Sequence, residues 1–100
     1  GTEIVPVGSY HYSVTNYPDR IEVARSGLVG DEVLSDRNRD GMVDLKTTFV
    51  YPMRRAPLIL KSRDITQADQ EIFGRAIEQY NARKKDNLEK ELIEFWKKAQ

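Results

Sequence analysis

Residues 36–44, Asp36-Arg37-Asn38-Arg39-Asp40-Gly41-Met42-Val43-Asp44, are the stretch of this chain whose residue types and spacing could do chemistry. Oxygen-bearing side chains recur at its first, third, fifth and ninth positions, with glycine sixth and an aliphatic residue eighth. Alternate side chains of a tight loop point inward, so Asp36, Asn38 and Asp40 can converge on one cation. Gly41 permits the sharp turn after them, and Met42 then offers its backbone carbonyl. Asp44 completes the set directly or through a water. Val43 leaves the loop toward the sheet and anchors it, while Arg37 and Arg39 fall at outward positions where their charges do least harm. Hard oxygen donors in this order suit calcium.

The composition removes most other chemistries. With no cysteine in 100 residues, disulfides, thiolate metal sites and cysteine nucleophiles are excluded. His11 is the single histidine, so multi-histidine zinc sites are excluded and a Ser-His-Asp triad could be built only around that residue. His11 alternates with Tyr10 and Tyr12, which places it on the exposed side of a strand with no partner for catalysis. No apolar run approaches the roughly 20 residues of a spanning helix, so no membrane span is expected. The opening residues show no signal-peptide pattern, and Gly1 is expected to be a vector scar or the first residue after a trimmed leader. Apolar residues at 39% and charged residues at 32% make the chain polar but able to bury one modest core.

The elements that must position the loop are read from periodicity. Tyr10, Tyr12 and Val14 alternate with His11, Ser13 and Thr15, and Ile21 and Val23 alternate around Glu22, so both segments read as half-buried strands. Asn16-Tyr17-Pro18-Asp19 is the turn between them. Ser26-Gly27 and Gly30-Asp31 punctuate the chain after the second strand. Val43 to Tyr51 is the longest strand candidate, with Val43, Leu45, Thr47, Phe49 and Tyr51 on one face. Pro52 and Pro57 bracket a basic turn before Leu58-Ile59-Leu60, a last buried strand. After Arg63-Asp64 the period becomes helical. Thr66 with Asp69 three residues on reads as an N-cap, and Ile72, Phe73, Ala76, Ile77 and Tyr80 form one stripe. Gly74 costs that helix about 1 kcal/mol relative to alanine, and close packing on the sheet is its expected justification.

A second stripe, Leu88, Leu92, Phe95, Trp96 and Ala99, is rotated from the first by roughly 110° on a wheel of about 100° per residue. The helix is therefore not expected to lie straight on the sheet. A break within Asn81–Asn87 is the favoured outcome, with an overhanging helix whose second stripe meets another subunit as the alternative. The fold class is α+β, with a small antiparallel sheet of four to five strands in residues 3–61 and a C-terminal helix or helix pair over 66–99. Residues 1–64 form the β-rich region and 65–100 the helical one, within one compact domain.

The 36–44 spacing resembles the DxNxDGxxD calcium loop of EF-hand and dockerin modules and of many exported bacterial proteins. The resemblance implies ligands at Asp36, Asn38, Asp40, Met42 and Asp44, and a structural rather than catalytic ion. It covers about nine residues and departs from the EF-hand at the twelfth position, where the bidentate glutamate is replaced by Thr47. A strand rather than a helix comes next, so the opening motion of a calcium sensor is not implied. Another carboxylate would be needed for seven-fold coordination, and Asp31 or Glu32 is the nearest upstream. Without it the site falls toward the ~10⁻⁴–10⁻³ M range of extracellular modules. The expectation is a non-enzymatic, extracytoplasmic calcium-binding domain, periplasmic or secreted and bacterial.

Asp40-Gly41 is equally a hairpin-turn signal that needs no metal. The competing expectation is an interaction module in which 36–44 is only a turn. Its contact surface would be the basic segment Arg54, Arg55, Lys61 and Arg63, or the helical residues Leu88, Leu92, Phe95 and Trp96, through a protein partner or self-association. Nucleic acid is the weaker partner for the basic segment, because the net charge is zero.

Overall fold

Strand and helix propensities divide the chain near Thr66, and the fold respects that division. The computed structural model describes residues 1–28, 30–50, 58–62 and 64–99, with 58–62 as backbone. Six antiparallel strands succeed one another as a meander: β1 Thr2–Val7, β2 Tyr10–Asn16, β3 Ile21–Ser26, β4 Gly30–Asp36, β5 Leu45–Val50 and β6 Leu58–Ser62. One helix, α1 (Gln67–Ala99), completes the α+β architecture.

The sheet has more strands than the expected four to five. β1 and β4 are the additions to the strands the alternation marks. Pro6 is tolerated in β1 because β1 is an edge strand, where a missing N–H leaves no ladder bond unmade. β4 holds Asp31 and Glu32 but is framed by β3 and β5, with Glu32 lying 3.6 Å from Lys46 Nζ. At the start of β4, Gly30 is obligatory: a Cβ there would stand 1.9 Å from the carbonyl oxygen of Phe49 on β5.

Register decides which face is buried. Val5 pairs with Tyr12, Val14 with Val23, Val23 with Leu34, and Leu34 with Lys46, so these residues share one face. Helix residues Phe73, Ala76 and Tyr80 pack there with Val5, Val7, Tyr12, Val14, Val23 and Leu34. The spacing of 69, 73, 76 and 80 is a helical stripe, and all four positions are buried. Leu45, Thr47 and Phe49 share a face as expected, but it is the one turned away from the helix, and Val43, expected beside them, is buried in the helix-side core instead. Tyr51, the Pro52–Pro57 turn with Arg54 and Arg55, and Arg63 lie outside the described residues, as do the side chains of Leu58, Ile59, Leu60 and Lys61.

Helix α1 begins with a reciprocal cap. Thr66 Oγ1 accepts from Asp69 N–H at 3.1 Å, and Asp69 Oδ2 accepts from Thr66 N–H at 2.9 Å. Asp69 also takes Lys46 Nζ at 3.0 Å, tying the helix start to β5. The expected break at Asn81–Asn87 does not occur, because Ala82, Arg83, Lys84 and Lys85 are strong helix formers and no glycine or proline comes after Gly74. The helix runs unbroken for 33 residues, about 50 Å at 1.5 Å per residue. Gln79 and Arg83 donate to the carbonyls of Pro6 and Ile4 on β1, and residues 81–99 are exposed. The overhang raises the radius of gyration to 16.4 Å, against roughly 13 Å for a compact chain of this length. Gly74 lacks the expected packing role, since a Cβ there would meet nothing within 4 Å.

Candidate functional site

Residues 37–44 connect β4 to β5, and Asp36 is the last residue of β4. The loop therefore joins two strands that are neighbours in the sheet. Its ends close like a hairpin, with Asp44 N–H donating to the Ser35 carbonyl at 2.9 Å. Gly41 turns the chain at φ +87°, and Arg39 adopts φ +58°, a left-handed conformation for a side-chain-bearing residue.

Asp36 stands on the helix-facing side of the sheet end and is 1% exposed. Its Oδ2 accepts the Gly41 N–H at 2.9 Å, which turns the carboxylate toward the loop. Its Oδ1 is buried and has no hydrogen-bond partner among the described residues. A buried polar oxygen without a donor or cation is costly inside a protein. Asp40 Oδ1 accepts from Met42 N–H at 2.9 Å, an Asx turn. Asn38, Asp40 and Met42 are exposed.

Asp44 occupies the far end. Arg37 donates to it twice, from its backbone N–H at 2.9 Å and from Nε at 2.7 Å. Burial pushes the Asp44 carboxyl up, but the Arg37 backbone and guanidinium, the Arg37 charge and the Asn38 backbone N–H together hold it below 3.8. Arg37 is thus turned onto the loop's own carboxylate rather than outward. Arg39 reaches across to the β2–β3 turn, donating to Asn16 Oδ1 at 3.0 Å and to the carbonyls of Tyr17 and Pro18.

Val43 fixes the loop to the rest of the molecule. Its side chain is 5% exposed within the core. Gln70 of α1 clamps its backbone from both sides, accepting from Val43 N–H at 2.8 Å and donating to the Val43 carbonyl at 3.1 Å. Nothing in the sequence marks Gln70 or Arg39 for these roles, because both depend on tertiary proximity of segments more than 20 residues apart. The capping pair Thr66 and Asp69 is the legible signal that the helix starts here.

The structure brings Asp36, Asn38, Asp40, Met42 and Asp44 into one loop, but it does not bring Asp31 or Glu32 to them. Those residues lie five and four positions back along β4, roughly 16 and 13 Å from Asp36 at about 3.3 Å per residue. Glu32 faces Lys46 instead. Among the described residues no three Asp, Glu or His side chains stand close enough together to hold an ion as the loop is arranged. Arg37 occupies both oxygens of Asp44 and the Asx turn occupies one oxygen of Asp40, whereas Asp36 Oδ1 has no partner among the described residues to give up. No helix among the described residues is long and apolar enough to cross a membrane.

No family model matches the chain, and neither a curated protein nor a solved structure matches it.

Proposed function

We propose that the chain is a non-enzymatic domain that binds one structural calcium ion in the β4–β5 loop. The observation that carries this reading is the buried Oδ1 of Asp36, a carboxyl oxygen without a hydrogen-bond partner among the described residues, at the first position of an oxygen-donor loop. Asp36, Asn38 and Asp40 would supply side-chain oxygens, Met42 its carbonyl, and Asp44 a direct or water-bridged oxygen. The ion would contribute charge neutralisation and rigidity, and no catalytic step is assigned to it. Gly41 already has the positive φ such a loop requires, and the Val43–Gln70 clamp holds the loop's base against the core.

No side-chain oxygen stands where an EF-hand has its bidentate glutamate, except the hydroxyl of Thr47, and Asp31 and Glu32 are remote. The affinity expected is therefore weak, in the ~10⁻⁴–10⁻³ M range, which suits an extracytoplasmic setting where calcium is millimolar.

Calcium titration of metal-stripped protein tests this directly. The backbone amide signals of residues 36–44 should shift with saturation below ~10 mM, Gly41 among the largest, because its N–H bonds to Asp36. Absence of any shift at ~10 mM calcium would reduce residues 36–44 to a metal-free turn.

A further inference from the structure

Beyond the last contact of α1 with the sheet, the helix carries apolar side chains that its own fold does not cover. Leu88, Leu92, Phe95 and Trp96 are 57%, 51%, 69% and 66% exposed. Leu88, Leu92, Phe95 and Ala99 succeed one another at spacings of four, three and four residues, the seam of a two-helix coiled coil. Trp96 flanks that seam on one side, and Glu91 and Lys98 flank it on the other.

We propose that residues 88–99 of α1 pair antiparallel with the same segment of a second copy of this chain, making a two-fold symmetric dimer. The proposal does not depend on calcium. Alternating core layers in this orientation set Leu88 against the partner's Ala99 and Leu92 against the partner's Phe95. The same register sets Glu91 against the partner's Lys98, and two-fold symmetry repeats the pair. A parallel pair would instead put Lys85, the next seam position toward the N-terminus, against its own copy. It would also align the helix dipoles, which antiparallel packing opposes.

The area available fits this occupant. The four exposed side chains present roughly 500 Å² of apolar surface, and two copies about 1,000 Å², the lower bound for a specific interface. The helix is already formed and fastened to β1 through Gln79 and Arg83, so pairing need not order it. Residues 88–99 lie past those contacts, which leaves room for a second helix beside them. An area at that lower bound places the pairing among weak, concentration-dependent associations.

Sedimentation of the full chain between about 10 µM and 1 mM, a span suited to weak association, reads the outcome. A rise from monomer to dimer mass is expected. Leu92→Glu should remain monomeric, with the same thermal transition as the wild type at protein concentrations well below the dimer dissociation constant, since that side chain is outside the core. Glu91→Lys and Lys98→Glu should each weaken the dimer by roughly fivefold to tenfold, and the two together should restore it to within about twofold. A monomer at about 1 mM, or a dimer that survives Leu92→Glu, would overturn the proposal. Failure of the double reversal to restore association would overturn the antiparallel register.

Discussion

Replacing Asp36 by asparagine separates a calcium site from a hydrogen-bonded turn, because the two accounts assign opposite costs to the same atom. Asparagine keeps the shape of the side chain, and its carbonyl oxygen can still accept the Gly41 N–H that Oδ2 now takes. What disappears is a carboxyl oxygen on a residue that is 1% exposed, the oxygen without a partner among the described residues. In chelator that loss should be neutral or stabilising by up to about 1–2 kcal/mol, since a buried unpaired amide group costs less than a buried unpaired charge. In calcium the wild type should gain about 1.4 kcal/mol at 10 mM ion for a dissociation constant of ~10⁻³ M, and about 2.7 kcal/mol for ~10⁻⁴ M. For a domain of this size that is a rise in melting temperature of roughly 6–20 °C. Asp36→Asn should show almost none of it. Thermal unfolding monitored by circular dichroism, with both proteins in chelator and in ~10 mM calcium, gives the four values needed. No calcium effect on the wild type, with the stability difference between the two proteins the same in both buffers, would refute the argument and make Asp36 a turn-closing acceptor only.

The packing and the ion pairs set two further outcomes. Gly74→Ala should stabilise the protein by about 1 kcal/mol, raising the melting temperature by roughly 4–8 °C, because the added methyl meets nothing within 4 Å. A drop would mean that the helix face at Gly74 is occupied. Burial raises the Asp69 carboxyl, but the Thr66 backbone and hydroxyl bonds and the Lys46 ammonium outweigh it and hold it below 3.8. A carboxyl depressed in the folded state stabilises fully above the unfolded value and loses that contribution as pH falls through the folded one. Urea unfolding in chelator should therefore show stability falling below about pH 4, and Asp69→Asn should be weaker at neutral pH with a flatter acid limb. An unchanged acid limb would place the titration on other carboxylates, Asp44 first among them.

The residues that carry local information are legible in the sequence. Alternation around Tyr12, Val14 and Val23 identifies buried strand positions, and the Thr66–Asp69 spacing locates the helix start because capping is a contact between near neighbours. β1 and β4 are obscured by Pro6 and by Asp31-Glu32, residues that discourage strands in isolation and are tolerated here by edge position and by the Lys46 ammonium beside Glu32. The helix overhang is legible only as a conflict between two stripes. The roughly 110° swing between them argues for a break, and the helix propensity of residues 82–85 overrides it in the folded chain. At the loop the donor spacing is visible, but the partners are not. Arg37 on Asp44, Arg39 on the β2–β3 turn and Gln70 on Val43 arise from the sheet register and the helix position, which no window of sequence contains.

The loop's own hydrogen bonds explain how it could fold without an ion and still accept one. Gly41, Met42 and Arg37 donate to Asp36, Asp40 and Asp44 respectively, so each carboxylate has at least one donor in the absence of a cation. The two ends differ in what an ion would displace. At the Asp44 end it would compete with Arg37, whose side chain is 58% exposed and whose ion pair is screened by solvent, worth at most about 1 kcal/mol. At the Asp36 end it would displace nothing, because Oδ1 is buried and has no partner among the described residues. Binding energy is therefore expected to concentrate at the β4 side, where the strand and Gly41 hold the carboxylate in place, while Asp44 exchanges one cation for another. Arg37 would then act as an internal substitute for the ion at one end of the loop only. That asymmetry fits a weak site that rigidifies a formed loop better than one that drives folding. The Val43–Gln70 clamp, which involves no charged group, keeps the loop's base in place in either state.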